Sequence, residues 1–225
     1  MDVRAATTTR IVLRGGRVVL IGPLDPNDRQ RFLSGLGRAS PESMYRRFMT
    51  PLPRLSRTQL AYLLGVDHQD HEALLAIDED GGEAVAVGRF VRLEDSSAAE
   101  AAVLVIDDWQ GLGLGKAVCR LLAERARELG IERFEATMLS DNRAMKTVLE
   151  SLGELRVVSD DGITVTYTVS LPERGVGEHL TRDTTRAMSK ERDGTSNEGG
   201  ERVDPVHGED RGFRPLLEHL LNQGR

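Results

Sequence analysis

The sequence predicts an α+β fold, in which a mixed, mostly antiparallel central sheet is flanked by helices. Short apolar or alternating runs, which are typical of strands, recur throughout the first 171 residues. Amphipathic runs with helical spacing separate several of these strands, while three consecutive strands in the middle are joined only by turn signals. Because both kinds of connection occur, the order of elements predicts a mixed sheet with helices on both faces.

The N-terminal part predicts a pair of strands and then three helices. Two β-rich pieces lie within residues 11–24, and residues 25–33 follow as a short, capped helix. Ser40, with a proline after it, begins a second helix. Ser56 begins a third helix that ends at Gly65.

The middle of the chain predicts an antiparallel meander. Residues 72–77, 83–92 and 100–106 alternate or run apolar, as strands do. Residues 80–82 and 95–97 supply the aspartate, glycine and serine of the turns between them. The last of these strands ends just before a glycine-rich turn.

A helix, a strand, a second helix and a hairpin follow this turn. The first helix has its apolar residues on one face from Leu114 onward and ends at Gly130. Residues 131–139 then predict a strand and residues 142–152 a helix. Residues 155–169 predict a hairpin about an aspartate–glycine turn.

The turn at residues 110–115, Gln-Gly-Leu-Gly-Leu-Gly, is the most informative segment. Its glycines let the backbone approach a ligand closely, and the following helix adds the positive end of its dipole. A dinucleotide-binding loop needs two residues between its second and third glycines, where this chain has only Leu114. A nucleoside-triphosphate loop is one residue longer and needs a serine or threonine where Ala117 stands. The turn therefore predicts a phosphate cradle of another kind.

Gln110, Gly113 and Gly115 match the Gln/Arg-x-x-Gly-x-Gly/Ala signature of the GNAT superfamily of acyl-CoA N-acyltransferases. The chain resembles this superfamily from about Arg10 to Leu171. The resemblance includes the Ser-Asp-Asn-Arg-Ala of residues 140–144, which opens the helix predicted at residues 142–152. Within the superfamily, two segments look like the acetyltransferase domain of bacterial protein lysine acetyltransferases. One lies in the helix that Ser40 begins, and the other leads into the first strand of the meander. These segments are residues 40–48 and 66–74.

The resemblance implies a GNAT-type sheet, in which the strand before the turn and the strand at 131–139 splay apart at the acyl-CoA site. It also implies acetyl-CoA as co-substrate, with its pyrophosphate over the amides of the turn, its pantetheine arm along the preceding strand, and Asn142 in contact with a pantetheine amide. The expected cofactor-binding residues are Val103, Leu104, Val105, Gln110, Gly111, Leu112, Gly113, Leu114, Gly115, Lys116 and Asn142.

Glu100 is the expected general base. An acceptor amine such as lysine has a pKa of about 10.4 and must lose a proton before it attacks. Glu100 begins the strand of the thioester site, alternation places it on the face of Leu104, and its Ala-Glu-Ala-Ala context resembles the position of the catalytic glutamate in related acetyltransferases. Asp107 and Asp108 are expected to shape the turn. Many family members have a tyrosine as general acid where this chain has Leu149, so solvent is expected to protonate the leaving thiolate.

Composition argues against several other functions. The 30 lysines and arginines against 36 aspartates and glutamates give a net charge of −6, which is unfavourable for binding nucleic acid. With a single cysteine, Cys119, no signal sequence and no apolar run long enough to cross a bilayer, we expect a cytoplasmic protein without a disulfide or a membrane contact. His68 and His71 have no third ligand at a suitable spacing, so we expect structural roles for them and no metal site.

Residues 1–171 are expected to form the acetyltransferase domain, in a monomer or a homodimer. Residues 172–212 are rich in glycine, serine, threonine and charges and predict a disordered polar tail. Residues 213–225 have the apolar spacing of a short amphipathic helix, which either frays or docks on this domain, a twin subunit or a partner.

These observations together predict transfer of the acetyl group of acetyl-CoA to a primary amine, with a protein lysine as the expected acceptor. Tyr45, Arg46 and Arg47 are candidates for contact with this acceptor or for ordinary packing. Two alternatives stay open. One is acetylation of a small-molecule amine, and the other is a non-catalytic acyl-CoA-binding regulatory module, for which Leu149 is the warning sign.

Overall fold

In the part of the chain that the structure describes, all strands belong to one sheet. This part comprises residues 8–49, 55–94 and 97–172 of a computed structural model. The predicted polar tail, from its second residue onward, and the predicted helix over residues 213–225 lie outside it. No helix in the described ranges has both the length and the apolar character needed to cross a bilayer.

The sheet has the spatial order β1-β2-β3-β4-β5-β6-β8-β7, and all neighbouring strands are antiparallel except β5 and β6. The parallel pair is joined by a helical crossover, as parallel neighbours must be. The strands are β1 (Thr9–Val12), β2 (Val18–Pro23), β3 (His71–Asp78), β4 (Ala84–Arg92), β5 (Ala98–Val105), β6 (Arg133–Leu139), β7 (Leu155–Asp160) and β8 (Thr164–Ser170).

Helices cover both faces of the sheet, which confirms the predicted fold class. Two of them pack on one face and three on the other, and each face has its own hydrophobic core. The helices are α1 (Arg29–Arg38), α2 (Pro41–Phe48), α3 (Arg57–Leu64), α4 (Leu114–Glu128) and α5 (Arg143–Glu150). The larger core lies under α4 and α5, and the smaller core lies under α1, α2 and α3.

Serine side chains fix the starts of α2 and α3, as the sequence predicts. Ser40 Oγ accepts a hydrogen bond from Ser43 N at 3.1 Å, and Ser56 Oγ accepts one from Gln59 N at the same distance. The Gln59 side chain accepts in return from Ser56 N at 2.8 Å, which completes a capping box. Both helix starts are therefore set by local sequence.

Helix α1 is longer than predicted, since it continues past Leu33 to Arg38. Its two glycines weaken the helical signal of this segment. One of them, Gly35, is buried against β4, where an added Cβ would lie 2.8 Å from the carbonyl oxygen of Ala84. Close packing on the sheet, which the local sequence does not reveal, therefore extends the helix.

Helix α4 crosses the other face equally closely at Gly88 of β4. A Cβ at Gly88 would lie 2.5 Å from Cγ1 of Val118, a fully buried residue of α4. Any side chain at position 88 would push α4 away from the sheet, and α4 is the helix that follows the glycine-rich turn.

We expect Gly88→Ala to destabilise the protein by about 1–3 kcal/mol, because the added methyl group overpacks the interface between α4 and β4. Gly37→Ala is the matched control. Gly37 is exposed in α1 with no atom within 4 Å of an added Cβ, so alanine there should stabilise by about 0.5–1 kcal/mol. Urea unfolding measures both changes. Equal stability of Gly88→Ala and the wild type would contradict the close packing.

Candidate active site

Strands β5 and β6 separate after a short stretch of pairing and open a cleft. Their parallel ladder ends at Glu100 and Glu135, while β6 continues to pair with β8. Residues 101–105 of β5 and 136–138 of β6 form opposite walls of a cleft of about 890 Å³. Helix α2, the glycine-rich turn and the start of α5 complete its lining.

The glycine-rich turn lies at one end of this cleft and leads directly into α4. Gly111 and Gly113 have φ angles of 73° and 93°, left-handed values that favour glycine. Gly113 precedes the first helical residue without a side-chain cap, so the first amides of α4 have no acceptor within the helix. Gly115 and Lys116 line the cleft beside them. Such a helix start is suited to bind a pyrophosphate.

Most of the predicted cofactor-binding residues line the cleft. Leu112 and Leu114 differ, because their side chains pack in the larger core and leave only backbone groups for a ligand. The carbonyl of Leu112 already accepts a hydrogen bond from Arg14 N at 3.2 Å. The predicted residues in the lining are Val103, Leu104, Val105, Gln110, Gly111, Gly113, Gly115, Lys116 and Asn142.

The side chain of Gln110 connects the turn to two other elements. Its Nε2 donates to the carbonyl oxygen of Val105 at 3.0 Å and to Oγ of Ser43 at 2.9 Å. The first bond satisfies a carbonyl of β5 beyond the point where β6 has left it. The second reaches the first turn of α2. Gln110 therefore holds the turn, the end of β5 and α2 together.

Asp107 was expected to shape the turn, and its carboxylate fastens the same end of α2. Its carboxylate accepts hydrogen bonds from Ser40 N at 2.8 Å, from Ser40 Oγ at 2.7 Å and from Ser43 Oγ at 3.0 Å. These bonds, led by the one from Ser40 N, lower the pKa of Asp107. Asp108 contributes through its backbone, whose carbonyl oxygen accepts from Arg17 at 2.8 Å.

Asn142 caps α5, since its Oδ1 accepts a hydrogen bond from Met145 N at 3.1 Å. It also lines the cleft, so the cap and the predicted ligand contact are compatible. Leu149, on the same helix, is 1% exposed and belongs to the larger core. An apolar side chain at this position fills space between α5 and the sheet and supplies no proton.

Glu100 lies where the two strands separate, at the end of the cleft away from the glycine-rich turn. It is the last residue of β5 that pairs with β6, and it is opposite Val91 of β4 on its other side. Only 8% of its surface is exposed, and it lines the cleft. Its side chain is on the sheet face covered by α1, α2 and α3, as strand alternation predicts.

Glu100 belongs to a polar cluster, which consists of the buried His71, Arg89 and Glu100 and the half-buried Arg47 and Tyr62. The rings of Tyr62 and His71 stack at 5.0 Å. Arg89, which is 2% exposed, lies 3.1 Å from His71 Nε2 through Nη1 and donates from Nη2 to the carbonyl oxygen of Leu63 at 3.1 Å. Arg89 and Glu100 share a sheet face, because Arg89 is opposite Ala102, two residues after Glu100.

Burial shifts the proton affinities of this cluster. It raises the pKa of Tyr62, lowers the pKa of Arg47 to about 10, and lowers the pKa of Arg89 to about 9. The charge of Glu100 acts on Arg47 in the opposite direction, and the charge of Arg47 lowers the pKa of Arg89 further. Arg47 and Glu100 line the same cleft, and their charges interact there.

His68 contacts a buried carboxylate on the other face of the sheet. Its Nδ1 lies 2.7 Å from Oε1 of Glu72, and Arg125 of α4 donates to Oε2 of Glu72 at 3.1 Å. Arg125 also donates to the carbonyl oxygen of His68 at 2.9 Å. These contacts, like those of His71, fit the predicted structural roles of both histidines.

Cys119 is buried, as the sequence predicts for a small residue beside Val118 in α4. Its side chain lies in the larger core at 5% exposure, although the sequence places it off the apolar stripe. The stripe is wider because α4 packs on several strands of the sheet and on α5. Burial raises the pKa of Cys119 to about 12, so the thiol stays protonated and is unsuited to nucleophilic attack.

Of the three acceptor-site candidates on α2, Arg46 and Arg47 line the cleft, and Tyr45 is 41% exposed. Arg46 donates to Glu42 and to Asp141 at 3.0 Å each, and so links α2 to the loop before α5.

Arg89 was not identified from the sequence as a residue of the site. Its signal was a charged residue in the middle of an apolar strand.

Comparison with known proteins is consistent with this geometry. The family model described as "Acetyltransferase (GNAT) family" matches residues 41–153. Acetyltransferase Pat of Mycolicibacterium smegmatis is 35% identical over 161 residues, which cover 71% of this chain and 48% of that protein. The chain thus spans about half the length of this relative.

Two further matches cover more of the related protein. Acetyltransferase PA5475 of Pseudomonas aeruginosa is 34% identical over 143 residues, covering 63% of this chain and 77% of that protein. The crystal structure of the GNAT domain of S. lividans PAT superposes with a TM-score of 0.68 at 32% identity. That match covers 73% of this chain and 97% of the solved one.

We expect Asp107→Asn to lower stability at neutral pH by roughly 1 kcal/mol, the lower end for charge-assisted hydrogen bonds because the site is exposed. Because folding lowers the pKa of Asp107, its contribution is complete above the unfolded-state pKa of about 3.9 and is lost as pH falls through the folded-state value. Thermal melts of both proteins should therefore converge in strong acid. Asp108→Asn is the control and should change little. A constant difference at all pH values would contradict the assignment.

Proposed function

The chain belongs to the GNAT family of acetyltransferases, and on this premise we propose that it transfers the acetyl group of acetyl-CoA to a protein lysine, with Glu100 as general base. Membership in the family confirms the prediction of an acyl-CoA-dependent N-acetyltransferase with acetyl-CoA as co-substrate. The proposal adds the acceptor and the residues that act on it. It also assigns residues 1–171 to one catalytic domain, in a cytoplasmic monomer or homodimer.

One observation carries the proposal: a single cleft has the glycine-rich turn at one end and Glu100 at the other. A ligand whose pyrophosphate lies on the amides of residues 112–116 can extend along the open edge of β5. There, the backbone of Val103 and the N–H of Val105 face the cleft and are available to a pantetheine arm, much as one strand pairs with another. Leu104, which was also expected to meet the arm, directs its backbone groups to Val87 of β4 instead, because alternate residues of an antiparallel pair face the partner strand. The thioester then lies toward Glu100, and Asn142 borders the same path.

The reaction needs one proton to leave the acceptor before the new bond forms. A carboxylate oxygen of Glu100 takes a proton from the ammonium group, and the freed nitrogen lone pair attacks the thioester carbon. A β5 amide in the cleft wall stabilises the negative charge that develops on the thioester oxygen. The carbon–sulfur bond breaks, the nitrogen releases its second proton, and the thiolate takes a proton from solvent because Leu149 has none to give.

Relatives named Pat and PAT support a protein as acceptor, as does the resemblance of residues 40–48 and 66–74 to protein lysine acetyltransferases. A small-molecule amine is the alternative acceptor, and its acetylation would use the same chemistry. A non-catalytic acyl-CoA-binding module is the alternative of another class, and Leu149 is the observation in its favour. The buried carboxylate of Glu100 at the end of the cleft favours an enzyme.

Isotope-labelled acetyl-CoA distinguishes these functions. The protein is incubated with the label and either a cell lysate, lysine-containing peptides or a panel of small amines, and the products are analysed by mass spectrometry. Label on protein lysines supports the proposal, whereas label on small amines alone supports the first alternative. Binding of acetyl-CoA without transfer to any acceptor supports the regulatory module.

We expect Glu100→Gln to bind acetyl-CoA as the wild type does but to lose about 100-fold or more in kcat, because general base catalysis contributes about 10²–10⁴. Calorimetry measures the binding, and label incorporation measures the turnover. Glu132→Gln, which changes an exposed carboxylate just before β6, is the control and should retain activity. Wild-type turnover by Glu100→Gln at neutral pH would refute the role of Glu100.

A further inference from the structure

The titratable groups around Glu100 come from each element packed against it. Helix α2 contributes Arg47 and α3 contributes Tyr62, while β3 and β4 contribute His71 and Arg89. Strand β6 contributes Glu135, which pairs with Glu100 on the last rung of the parallel ladder and is on the same face. The acceptor therefore approaches two guanidinium groups as well as carboxylates.

The two arginines have different surroundings. Arg89 is enclosed, with its donors directed to His71 and to the carbonyl oxygen of Leu63. Arg47 lines the cleft and lies over the ring of Phe48, with its guanidinium carbon 4.9 Å from the ring centre. Phe48 is 3% exposed, so this stacking on a fixed ring anchors the guanidinium. Arg47 is thus the cation of the polar cluster that an acceptor in the cleft meets directly.

Glu135 makes a nearby cation more important. Like charges directly opposite each other on neighbouring strands are unfavourable. A general base must be ionised when the acceptor arrives, and a carboxylate that is already protonated cannot accept the ammonium proton. A guanidinium on the α2 side opposes this repulsion, since an opposite charge within about 4–6 Å favours the ionised carboxylate.

We propose that Arg47 is a positioning residue whose fixed positive charge keeps Glu100 ionised and disfavours the ammonium form of the amine that enters the cleft. This inference rests on the proposed function, because it assumes that Glu100 receives the proton of an acceptor amine. Arg47 forms no bond with the reacting atoms. It acts through the electrostatic potential at the carboxylate and at the nitrogen, so that at a given pH more of Glu100 is ionised and more of the bound amine is neutral.

A pH–rate profile tests the first part of the proposal. Arg47→Met keeps an apolar stem of similar length but removes the charge, and it should shift the acid limb of kcat/KM for the amine upward by about one pH unit. Arg47→Lys keeps the charge and should return the limb toward its wild-type position. Arg57→Met removes an exposed arginine at the start of α3 and should leave the profile unchanged. An unshifted limb in Arg47→Met, or an equal shift in Arg57→Met, overturns the proposal.

A double-mutant cycle tests the coupling of the two charges without any assay of activity. Thermal melts at neutral pH compare Arg47→Met, Glu100→Gln and the double variant. The loss in Tm of the double variant should be smaller than the sum of the single losses, because each single variant already removes the same interaction between the two charges. Additive losses overturn the proposal even if the protein acetylates amines. If the losses in Tm are less than additive but the protein transfers acetyl to no acceptor, the interaction of Arg47 with Glu100 stands and the proposed function is refuted instead.

Discussion

The end of the β5–β6 ladder is the constraint on which the rest of the site depends. A central strand normally finds hydrogen-bond partners on both edges, but β5 loses β6 after Glu100 while its pairing with β4 continues. Its backbone must then find other partners, and Gln110 supplies one by donating to the carbonyl of Val105. An extended ligand can supply more. The same divergence thus creates the cleft and leaves the backbone edge that a pantetheine arm needs.

Charged side chains lie under helices beside the point where the two strands separate. Buried carboxylates and guanidinium groups are costly to desolvate unless they have partners. The cluster meets this requirement through the contacts of Arg89 with His71 and Leu63 and through the interaction between Arg47 and Glu100. Helices α2 and α3 therefore cover the smaller core and also complete the cluster, since α2 contributes the charge of Arg47 and α3 contributes the ring of Tyr62.

Local signals were sufficient for most of the fold, because caps, turn residues and apolar spacing act over a few neighbours. The meander, the start of α2 at Ser40 and the order of elements after the turn all follow from such signals. The extension of α1 did not, since it depends on packing of Gly35 against β4. Nor did the contacts of Asp107, whose partners on α2 lie 64 and 67 residues earlier in the chain. The splay itself was expected from family resemblance, because no local pattern marks where a ladder stops.

The chain of contacts from Gln110 through Ser43 to Asp107 has a thermodynamic consequence. Gln110 belongs to the turn that faces the nucleotide end of the cleft, whereas Ser43 belongs to the helix that faces the acceptor end. A ligand that displaces the turn would change the anchoring of the helix, so under the proposed function the two substrates would be energetically linked. Linkage is reciprocal, because the factor by which the first substrate changes the affinity for the second equals the factor by which the second changes the affinity for the first. A bisubstrate enzyme built in this way senses the occupancy of each site at the other.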